Sequence, residues 1–259
     1  MPAFPAMLRS CVLTLALAAT SALFLAPAPA SALEEGDRAK IETIIREYLL
    51  ANPELMLEVQ KALEEKQELA RAEAQQRTLV EMKDLIYSGS NDIVIGPEDA
   101  RITIVEFYDY NCGFCRRALA DMDQFLNSDS DVRFILKEFP VLGQESLAAH
   151  RVGLAFNRLM PQKAADFHRT LLNREGRKDG NVALQLAVEL GADEAAMRSE
   201  MEKDDLLEPL RENYRIADGL GITGTPSYVI GDEVVFGAVG FDQLNVRVAN
   251  LRECGKATC

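Results

Sequence analysis

The sequence contains no tryptophan, only two histidines and far fewer basic than acidic residues. Its 28 Lys and Arg stand against 41 Asp and Glu, which gives a formal net charge of -13 at pH 7. Phosphate backbones and anionic membrane surfaces repel such a chain, so we expect no nucleic-acid partner. The two histidines, His150 and His168, lie in helical runs outside any ligand motif, and we predict neither a metal site nor a cofactor.

Long apolar runs are also missing beyond Leu25. One basic residue, Arg9, precedes the apolar run Cys11–Leu25, and the small residues Ala30-Ser31-Ala32 follow it. This pattern is typical of a cleaved secretory signal peptide, residues 1–32, and the run is short for a membrane span. Because Cys11 stands at the start of the apolar run instead of following it, we do not expect a lipoprotein anchor.

One cysteine pair occupies a position that favours redox chemistry. Cys112-Gly113-Phe114-Cys115 follows the strand-like run Ile102–Tyr108 and opens the helix-like run Arg116–Leu126. Free N–H groups and the dipole at a helix N-terminus stabilise a thiolate, which is the attacking form in disulfide exchange. We therefore predict that Cys112 is the nucleophile and that Cys115, one turn later, resolves the mixed disulfide. A structural disulfide is the weaker alternative, since so short a loop hardly constrains the unfolded chain, and a metal half-site is another.

The other pair lies at the end of the sequence. Of the five cysteines, four remain after signal cleavage, and an even number is expected in an oxidising compartment. Cys254 and Cys259 enclose a small loop, for which we predict a structural disulfide. The alternatives are an accessory redox or copper-binding pair, or a four-cysteine zinc site shared with Cys112 and Cys115.

The segment before residue 89 has a helical pattern throughout. Asn52-Pro53 divides it, with Asn52 as the predicted cap of the second helix and Pro53 as its first residue. Residues 64–77 are polar on almost every face, which is typical of a solvated connector. Apolar residues at helical spacing form stripes on either side of this connector: Ile41, Ile44, Ile45, Tyr48, Leu49, Met56, Val59, Leu63, Leu79, Met82 and Ile86.

These stripes need an apolar partner. We predict that residues 33–88 form a helical extension that self-associates, and the alternative is that the stripes pack back onto the following domain. A linker, Ser88-Gly89-Ser90-Asn91, separates the extension from residues 89–259.

Strand and helix patterns alternate after the linker, which predicts an α/β domain. The runs Ile102–Tyr108 and Val132–Glu138 flank the Cys112 helix and form a strand–helix–strand unit, so a parallel pair with a right-handed crossover is expected. Residues from about 144 to 219 are helical in pattern. The remaining predicted elements are an edge strand Ile93–Ile95, a hairpin of Ser227–Ile230 and Glu233–Phe236, and a last helix Phe241–Arg252.

This order of elements resembles the thioredoxin fold with an inserted helical subdomain, as found in DsbA-like oxidoreductases. The segments Val105–Arg117 and Gly221–Ser227 carry the resemblance, and Tyr48–Glu54 is similar to the extension of the suppressor-of-copper-sensitivity subgroup, ScsC. The resemblance implies a protein disulfide oxidoreductase of the periplasm that acts on unfolded or mis-disulfided proteins. It also implies a membrane redox partner that recycles the site, and a homo-oligomer, either a dimer or a trimer.

The resemblance further assigns roles to individual residues. Pro226 would follow a cis peptide bond and face the cysteines, and the Thr225 backbone would pair with substrate. A plain turn proline is the alternative. Glu106 would be a buried acid that exchanges protons with Cys115, with Lys137 as its possible charge partner. The alternative for Glu106 is an acid at the exposed edge of a strand.

The residues between the cysteines bear on the direction of electron flow. Gly113 and Phe114, which are predicted to contact substrate, supply no cation, whereas DsbA-type oxidants carry a histidine there. A Gly-aromatic pair, together with threonine before the proline, is similar to the disulfide isomerases. We therefore predict an isomerase or reductase. The alternatives are a DsbA-like dithiol oxidase and a non-enzymatic, oligomeric scaffold that binds copper or client proteins.

Overall fold

The computed structural model describes residues 35–89 and 91–259. The predicted signal peptide, residues 1–32, and Ser90 of the predicted linker lie outside this part of the chain. Across the described residues, none of the helices combines the length and the apolar character needed to cross a bilayer. The chain divides into two compact units, which meet between Val59 and Gln60 in the sequence.

The first unit contains α1, Glu35–Ala51, and the beginning of α2, Glu54–Glu81. The two helices separate at Asn52 and Pro53, as predicted, because a residue before proline is disfavoured in the α conformation. The Asn52 side chain nevertheless caps the other helix: its Nδ2 donates to the Tyr48 carbonyl over 2.8 Å and so closes α1. The prediction that Asn52 caps the start of α2 with its side chain is therefore wrong.

The apolar stripe of α1 is exposed within this chain. Ile44 is 63% exposed, Ile45 52% and Tyr48 59%. Because α-helical residues recur every 3.6 positions, these three side chains and Ile41 lie along one side of α1.

The second unit is built on a five-stranded mixed sheet in the order β1-β3-β2-β4-β5. β2 and β3 are parallel, as predicted, and the other neighbouring pairs are antiparallel. The strands have the predicted bounds: β1 Ile93–Ile95, β2 Ile102–Tyr108, β3 Val132–Glu138, β4 Ser227–Ile230 and β5 Glu233–Phe236.

Helices cover both faces of the sheet. α4, Gly113–Ser128, forms the crossover from β2 to β3. The predicted helical insertion is present between β3 and β4 and includes one 3-10 turn, Pro161–Lys163. The other helices are α3 Lys83–Tyr87, α5 Gln144–Leu159, α6 Ala164–Asn173, α7 Gly180–Glu189, α8 Glu194–Met201, α9 Glu208–Gly219 and α10 Phe241–Cys254.

Alternation along β2 divides the core in two. Ile104 and Tyr108 contribute to a large cluster that includes residues of α4 and the insertion helices. Val105 and Phe107 contribute to a smaller cluster with residues of α9, α3 and the end of α2. Since successive strand residues point to opposite faces, Glu106 lies on the same side as Ile104 and Tyr108.

The end of α2 packs onto this second unit. Leu79 of α2 is buried in the smaller cluster, as is Ile86 of the following helix α3. Thr78 Oγ1 donates to the Gly219 carbonyl over 3.0 Å, and Gln75 Nε2 donates to the Leu220 carbonyl over 2.7 Å. The last stripe of the predicted extension therefore follows the alternative interpretation, packing back on the following domain, and the polar connector is anchored at Gln75.

Candidate active site

The Cys112 side chain lies at the start of α4, immediately after the loop that leaves β2. Cys112 is the N-cap residue, and its Sγ accepts a hydrogen bond from the Cys115 N–H over 3.4 Å. The side chain therefore takes up a donor that the first helical turn leaves unpaired. Cys112 retains 6% exposure, whereas Cys115 is fully buried, and both thiols are free.

The two cysteines have opposite acidities. A hydrogen bond from the Cys115 side chain lowers the pKa of Cys112 to about 5, helped by Thr225 and by backbone donors and opposed by burial. Burial raises the pKa of Cys115 far above its usual value, and its hydrogen bond to Cys112 and the charge of Glu106 act in the same direction. At neutral pH Cys112 is therefore the thiolate and Cys115 holds its proton, which is the arrangement that thiol–disulfide exchange needs.

The loop before β4 lies against Cys112. The peptide bond between Thr225 and Pro226 is cis, as the resemblance implied. The Cys112 thiol donates to the Thr225 carbonyl oxygen over 3.1 Å in the protonated form. The structure thus brings together Cys112, Cys115, Thr225 and Pro226, which the sequence places in two segments more than 100 residues apart.

Glu106 is buried beside the cysteines. It is 4% exposed on the central strand β2, so the alternative of an acid at an exposed strand edge is wrong. Burial, together with the negative charges of Cys112 and Asp121, raises its pKa to about 8. Its neighbour on β4 is Tyr228, whose hydroxyl pKa burial raises as well. A carboxyl group with a pKa near neutrality next to a buried thiol is suited to proton transfer.

Lys137 does not pair with Glu106. The neighbour of Glu106 on β3 is Leu136, which puts the Lys137 side chain on the opposite face of the sheet. There its Nζ binds Asp92 Oδ2 at 2.7 Å and donates to the Leu85 carbonyl over 2.6 Å. The predicted charge partnership is therefore wrong, and Lys137 instead ties α3 and the segment before β1 to the sheet.

The residues between the cysteines face solvent. Phe114 is 57% exposed, and open space surrounds the Cα of Gly113 on its side-chain side. The Arg117 guanidinium lies 4.1 Å from the centroid of the Phe114 ring, within the range of a cation–π interaction. The sequence has no cation between the cysteines. In the structure the Arg117 guanidinium, on the next helical turn, lies against the Phe114 ring.

Asp109, which the sequence analysis did not single out, organises the rim of the site. Its Oδ1 accepts from the Asn111 N–H over 2.8 Å, and its Oδ2 accepts from the Val141 and Leu142 N–H groups over 2.8 and 3.0 Å. One buried carboxylate thus joins the loops that follow β2 and β3. The feature of the sequence that could have identified Asp109 is its position directly after the apolar strand β2.

Cys254 and Cys259 are bonded to each other. The enclosed loop is anchored where Ala257 N donates to Asp232 Oδ1 over 2.8 Å. Asp232 lies in the turn after β4, whereas Pro226 precedes β4, so the tail belongs to the other end of that strand. The four-cysteine zinc alternative is excluded, because these two sulfurs are used in their own bond.

Two family models match the chain. The DSBA-like thioredoxin domain matches residues 103–249, and the Copper resistance protein ScsC N-terminal domain matches residues 37–70. Among solved structures, a thioredoxin-like oxidoreductase from Silicibacter pomeroyi DSS-3 is 34% identical, covers 66% of this chain and 98% of that one, and has a TM-score of 0.63. A linker-deletion mutant of Proteus mirabilis ScsC is 28% identical, covers 86% and 99%, and has a TM-score of 0.61.

Curated relatives are more distant. Disulfide bond formation protein D of Bacillus subtilis (strain 168) is 22% identical over 161 residues, which cover 58% of this chain and 72% of that protein. The Na(+)/H(+) antiporter NhaA of Herminiimonas arsenicoxydans is 25% identical over 140 residues, 54% of this chain. The chain spans only 22% of the length of that antiporter, so the match concerns one part of it.

Proposed function

The chain belongs to the DSBA-like thioredoxin domain family, and on that premise we propose that Cys112 and Cys115 carry out thiol–disulfide exchange on protein substrates. The observation that carries this proposal is the contrast between the two thiols. Cys112 is acidic and reaches the surface beside the Thr225 carbonyl, whereas Cys115 is buried and keeps its proton.

The reaction begins with the Cys112 thiolate. It attacks one sulfur of a client disulfide, forms a Cys112–client disulfide and releases the other client sulfur as a thiolate. In isomerisation a client thiolate then attacks the client sulfur of the mixed disulfide, so that the client leaves with a new disulfide and Cys112 returns as the thiolate. In reduction Cys115 loses its proton and attacks Cys112, the client leaves reduced, and a membrane redox partner must reduce the Cys112–Cys115 disulfide.

We favour isomerase or reductase activity over oxidase activity. Gly113 and Phe114 place no charge between the cysteines. The exposed Phe114 ring and the Thr225 backbone offer an apolar surface and a strand-like edge to an unfolded client. We place the protein in the periplasm, where it would meet mis-disulfided clients, because residues 1–32 have the pattern of a cleaved secretory signal peptide.

Self-association of α1 is the second part of the proposal. The exposed stripe of Ile41, Ile44, Ile45 and Tyr48 is apolar over more than two turns, and residues 37–70 match the ScsC N-terminal model. Burying such a side chain completely stabilises by about 1.5–3 kcal/mol, so a dimer or trimer would gain several such contributions. Several Cys112 sites in one assembly raise the effective concentration of a thiolate around a bound client.

The exchange chemistry is tested with cysteine variants. The full chain and its Cys112→Ala and Cys115→Ala variants are assayed on a scrambled and on a reduced multi-disulfide protein. We expect the parent to reactivate the scrambled protein faster than it oxidises the reduced one, Cys112→Ala to be inactive, and Cys115→Ala to accumulate mixed disulfides. Alkylation that labels Cys115 before Cys112 near neutral pH would contradict the assignment of the nucleophile.

Self-association is tested by introducing negative charges into the apolar stripe of α1. Ile45→Glu with Tyr48→Glu should give a monomer by light scattering, with reduced isomerase activity and intact dithiol exchange. Thr43→Glu is the matched control, since Thr43 lies on the opposite side of the same helix and should leave the oligomer unchanged. A parent chain that is monomeric at micromolar concentration would refute this part of the proposal.

One observation favours the runner-up, a DsbA-like dithiol oxidase. Stabilising the thiolate favours the reduced protein and makes the disulfide more oxidising, and the pKa of Cys112 is lowered to about 5. Faster oxidation of the reduced client than reactivation of the scrambled one would select the oxidase.

A further inference from the structure

A buried histidine of the inserted subdomain reaches the loop that carries Cys112. His150, on α5, is fully buried. Its Nε2 accepts a hydrogen bond from the Tyr110 N–H over 3.2 Å, two residues before the nucleophile. The neighbouring N–H groups in this loop bind within it: Asn111 N–H donates to Asp109 Oδ1, and Cys112 N–H donates to the Asp109 carbonyl. The Tyr110 N–H, in contrast, donates to a residue outside this loop, His150.

The surroundings of His150 fix its tautomer. Because Nε2 accepts from a backbone N–H, its proton must lie on Nδ1, and Nδ1 is 3.1 Å from Glu138 Oε2. Burial raises the pKa of Glu138, and the hydrogen bond from His150 opposes that effect. The rings of Tyr108 and Tyr110 lie against His150, with centroid distances of 5.3 and 4.5 Å. Asp109 Oδ1, at 4.0 Å from Nε2, is too distant for a hydrogen bond.

The approach of α5 to this loop depends on a glycine. A Cβ at Gly153, one helical turn after His150, would lie 3.0 Å from Glu138 Oε1 and 3.1 Å from the Tyr110 hydroxyl. The helix can therefore come close enough for His150 to bridge the end of β3 and the Cys112 loop.

A second contact from the insertion holds the next residue. Asn111 Nδ2 donates to the Lys178 carbonyl over 2.7 Å and to Ser146 Oγ over 3.0 Å, and Asn111 Oδ1 accepts from the Lys178 N–H over 2.8 Å. Two successive residues before Cys112 are thus bound to the insertion. The position of Cys112 Sγ relative to the Cys115 N–H follows from where this loop lies.

We propose that His150, oriented by Glu138, is a positioning residue that sets the acidity and the redox equilibrium of Cys112 by holding the Tyr110 amide. The inference rests on the proposed thiol–disulfide exchange at Cys112. Without the His150 acceptor the buried Tyr110 N–H would have to find another partner, and the loop would move away from the geometry that stabilises the thiolate.

The test compares variants of the full chain. His150→Phe keeps a ring of similar size without the acceptor, and His150→Gln keeps an acceptor and a donor at a similar separation. In His150→Phe we expect the midpoint of thiolate formation, followed by ultraviolet absorbance and by alkylation against pH, to rise by about one unit. The equilibrium constant with glutathione should shift about tenfold toward the oxidised protein. His150→Gln should restore at least half of both changes.

His168→Phe is the matched control. His168 is also buried, and its ring packs against Tyr108 at 4.4 Å, but it makes no hydrogen bond to the Cys112 loop among the described residues. It should leave the Cys112 midpoint unchanged. A comparable rise in this control would show a general effect of core substitution and would overturn the proposal.

Other outcomes are equally decisive. A folded His150→Phe protein with the parental midpoint would overturn the proposal. Should His150→Phe fail to fold, the decision passes to Glu138→Leu, which removes the acceptor of the Nδ1 proton and with it the group that orients the ring toward the Tyr110 N–H; a parental midpoint there would also overturn the proposal. A parent that fails to exchange with glutathione at all would instead refute the proposed function, while the midpoint comparison could still be made.

Discussion

Replacing the buried acid Glu106 by glutamine should stabilise the protein, and the gain should depend on pH. The pKa of Glu106 is raised from its ordinary 4.5 to about 8, chiefly by burial. A raised carboxyl pKa costs no stability at pH values below the pKa of the unfolded state, because both the folded and the unfolded chain then bind the proton. Stability is lost as pH rises from 4.5 to about 8, where the unfolded chain releases the proton and the folded protein retains it.

The size of the stability gain follows from the interval between the two pKa values of Glu106, 4.5 and about 8. Each pH unit between the two pKa values costs about 1.4 kcal/mol, so the loss is about 3 kcal/mol at pH 7 and about 5 kcal/mol above pH 8. Glutamine has nearly the same shape and cannot ionise. Glu106→Gln should therefore match the parent near pH 4.5, exceed its free energy of unfolding by about 3 kcal/mol at pH 7, and melt about 6–12 °C higher at that pH.

The assay is denaturant unfolding of the reduced proteins at several pH values from 4.5 to 9. Glu253→Gln is the control, since Glu253 is an exposed glutamate of the same unit, and it should have no effect at any pH. Resolution of a mixed disulfide by Cys115 should become slower in Glu106→Gln, because the nearby proton acceptor is lost. A gain that is the same at pH 5 and pH 8, or a loss of stability at pH 7, would refute the reasoning.

Three further predictions concern the Lys137–Asp92 ion pair, the exposed residue Phe114 and the disulfide of Cys254 and Cys259. Lys137→Met should cost about 3–5 kcal/mol of stability in a urea melt because it leaves the buried Asp92 carboxyl without its partner, and adding Asp92→Leu should recover most of that loss. Phe114→His should make the disulfide more oxidising in glutathione equilibria, by about 30 mV for each unit by which the pKa of Cys112 falls. Replacing both Cys254 and Cys259 by serine should cost about 2 kcal/mol of stability, with exchange activity unchanged.

The placement of Cys112 and Cys115 at the start of a helix could be predicted from the sequence because it is local. A buried strand, a short loop and a helix are consecutive in the chain, so the position of Cys112 at the helix N-terminus requires no long-range information. The strands β2 and β3 were predicted to the residue for the same reason, since each is a short apolar run that ends in charged or polar residues.

The partner of Lys137 could not be predicted, because it depends on register. Two neighbouring parallel strands can be aligned so that residue 137 stands beside residue 106 or one position away. The alignment in the structure pairs Glu106 with Leu136, and one residue of displacement sends a side chain to the other face. The actual partner, Asp92, lies in a segment with no periodicity that would have indicated it.

The contact of His150 with the Cys112 loop likewise could not be predicted from the sequence. It requires the packing of the insertion against the end of the sheet, which no local pattern encodes. The same holds for the extension: the stripes around Ile45 and Leu79 look alike in sequence, yet Leu79 is buried against the sheet domain and Ile45 is exposed. Apolar periodicity indicates that a helix needs a partner and does not indicate which one.

In the reaction we propose, the charges at the site link the protonation of Glu106 to the step that has been reached. The thiolate of Cys112 contributes to the raised pKa of Glu106, and Glu106 in turn contributes to the raised pKa of Cys115. When Cys112 enters a mixed disulfide its negative charge disappears, so the pKa of Glu106 must fall and a larger fraction of it must ionise near pH 7. In the reaction we propose, Glu106 would thus become available as a base at the step in which Cys115 has to lose its proton, and it would bind a proton again when the free thiolate of Cys112 returns.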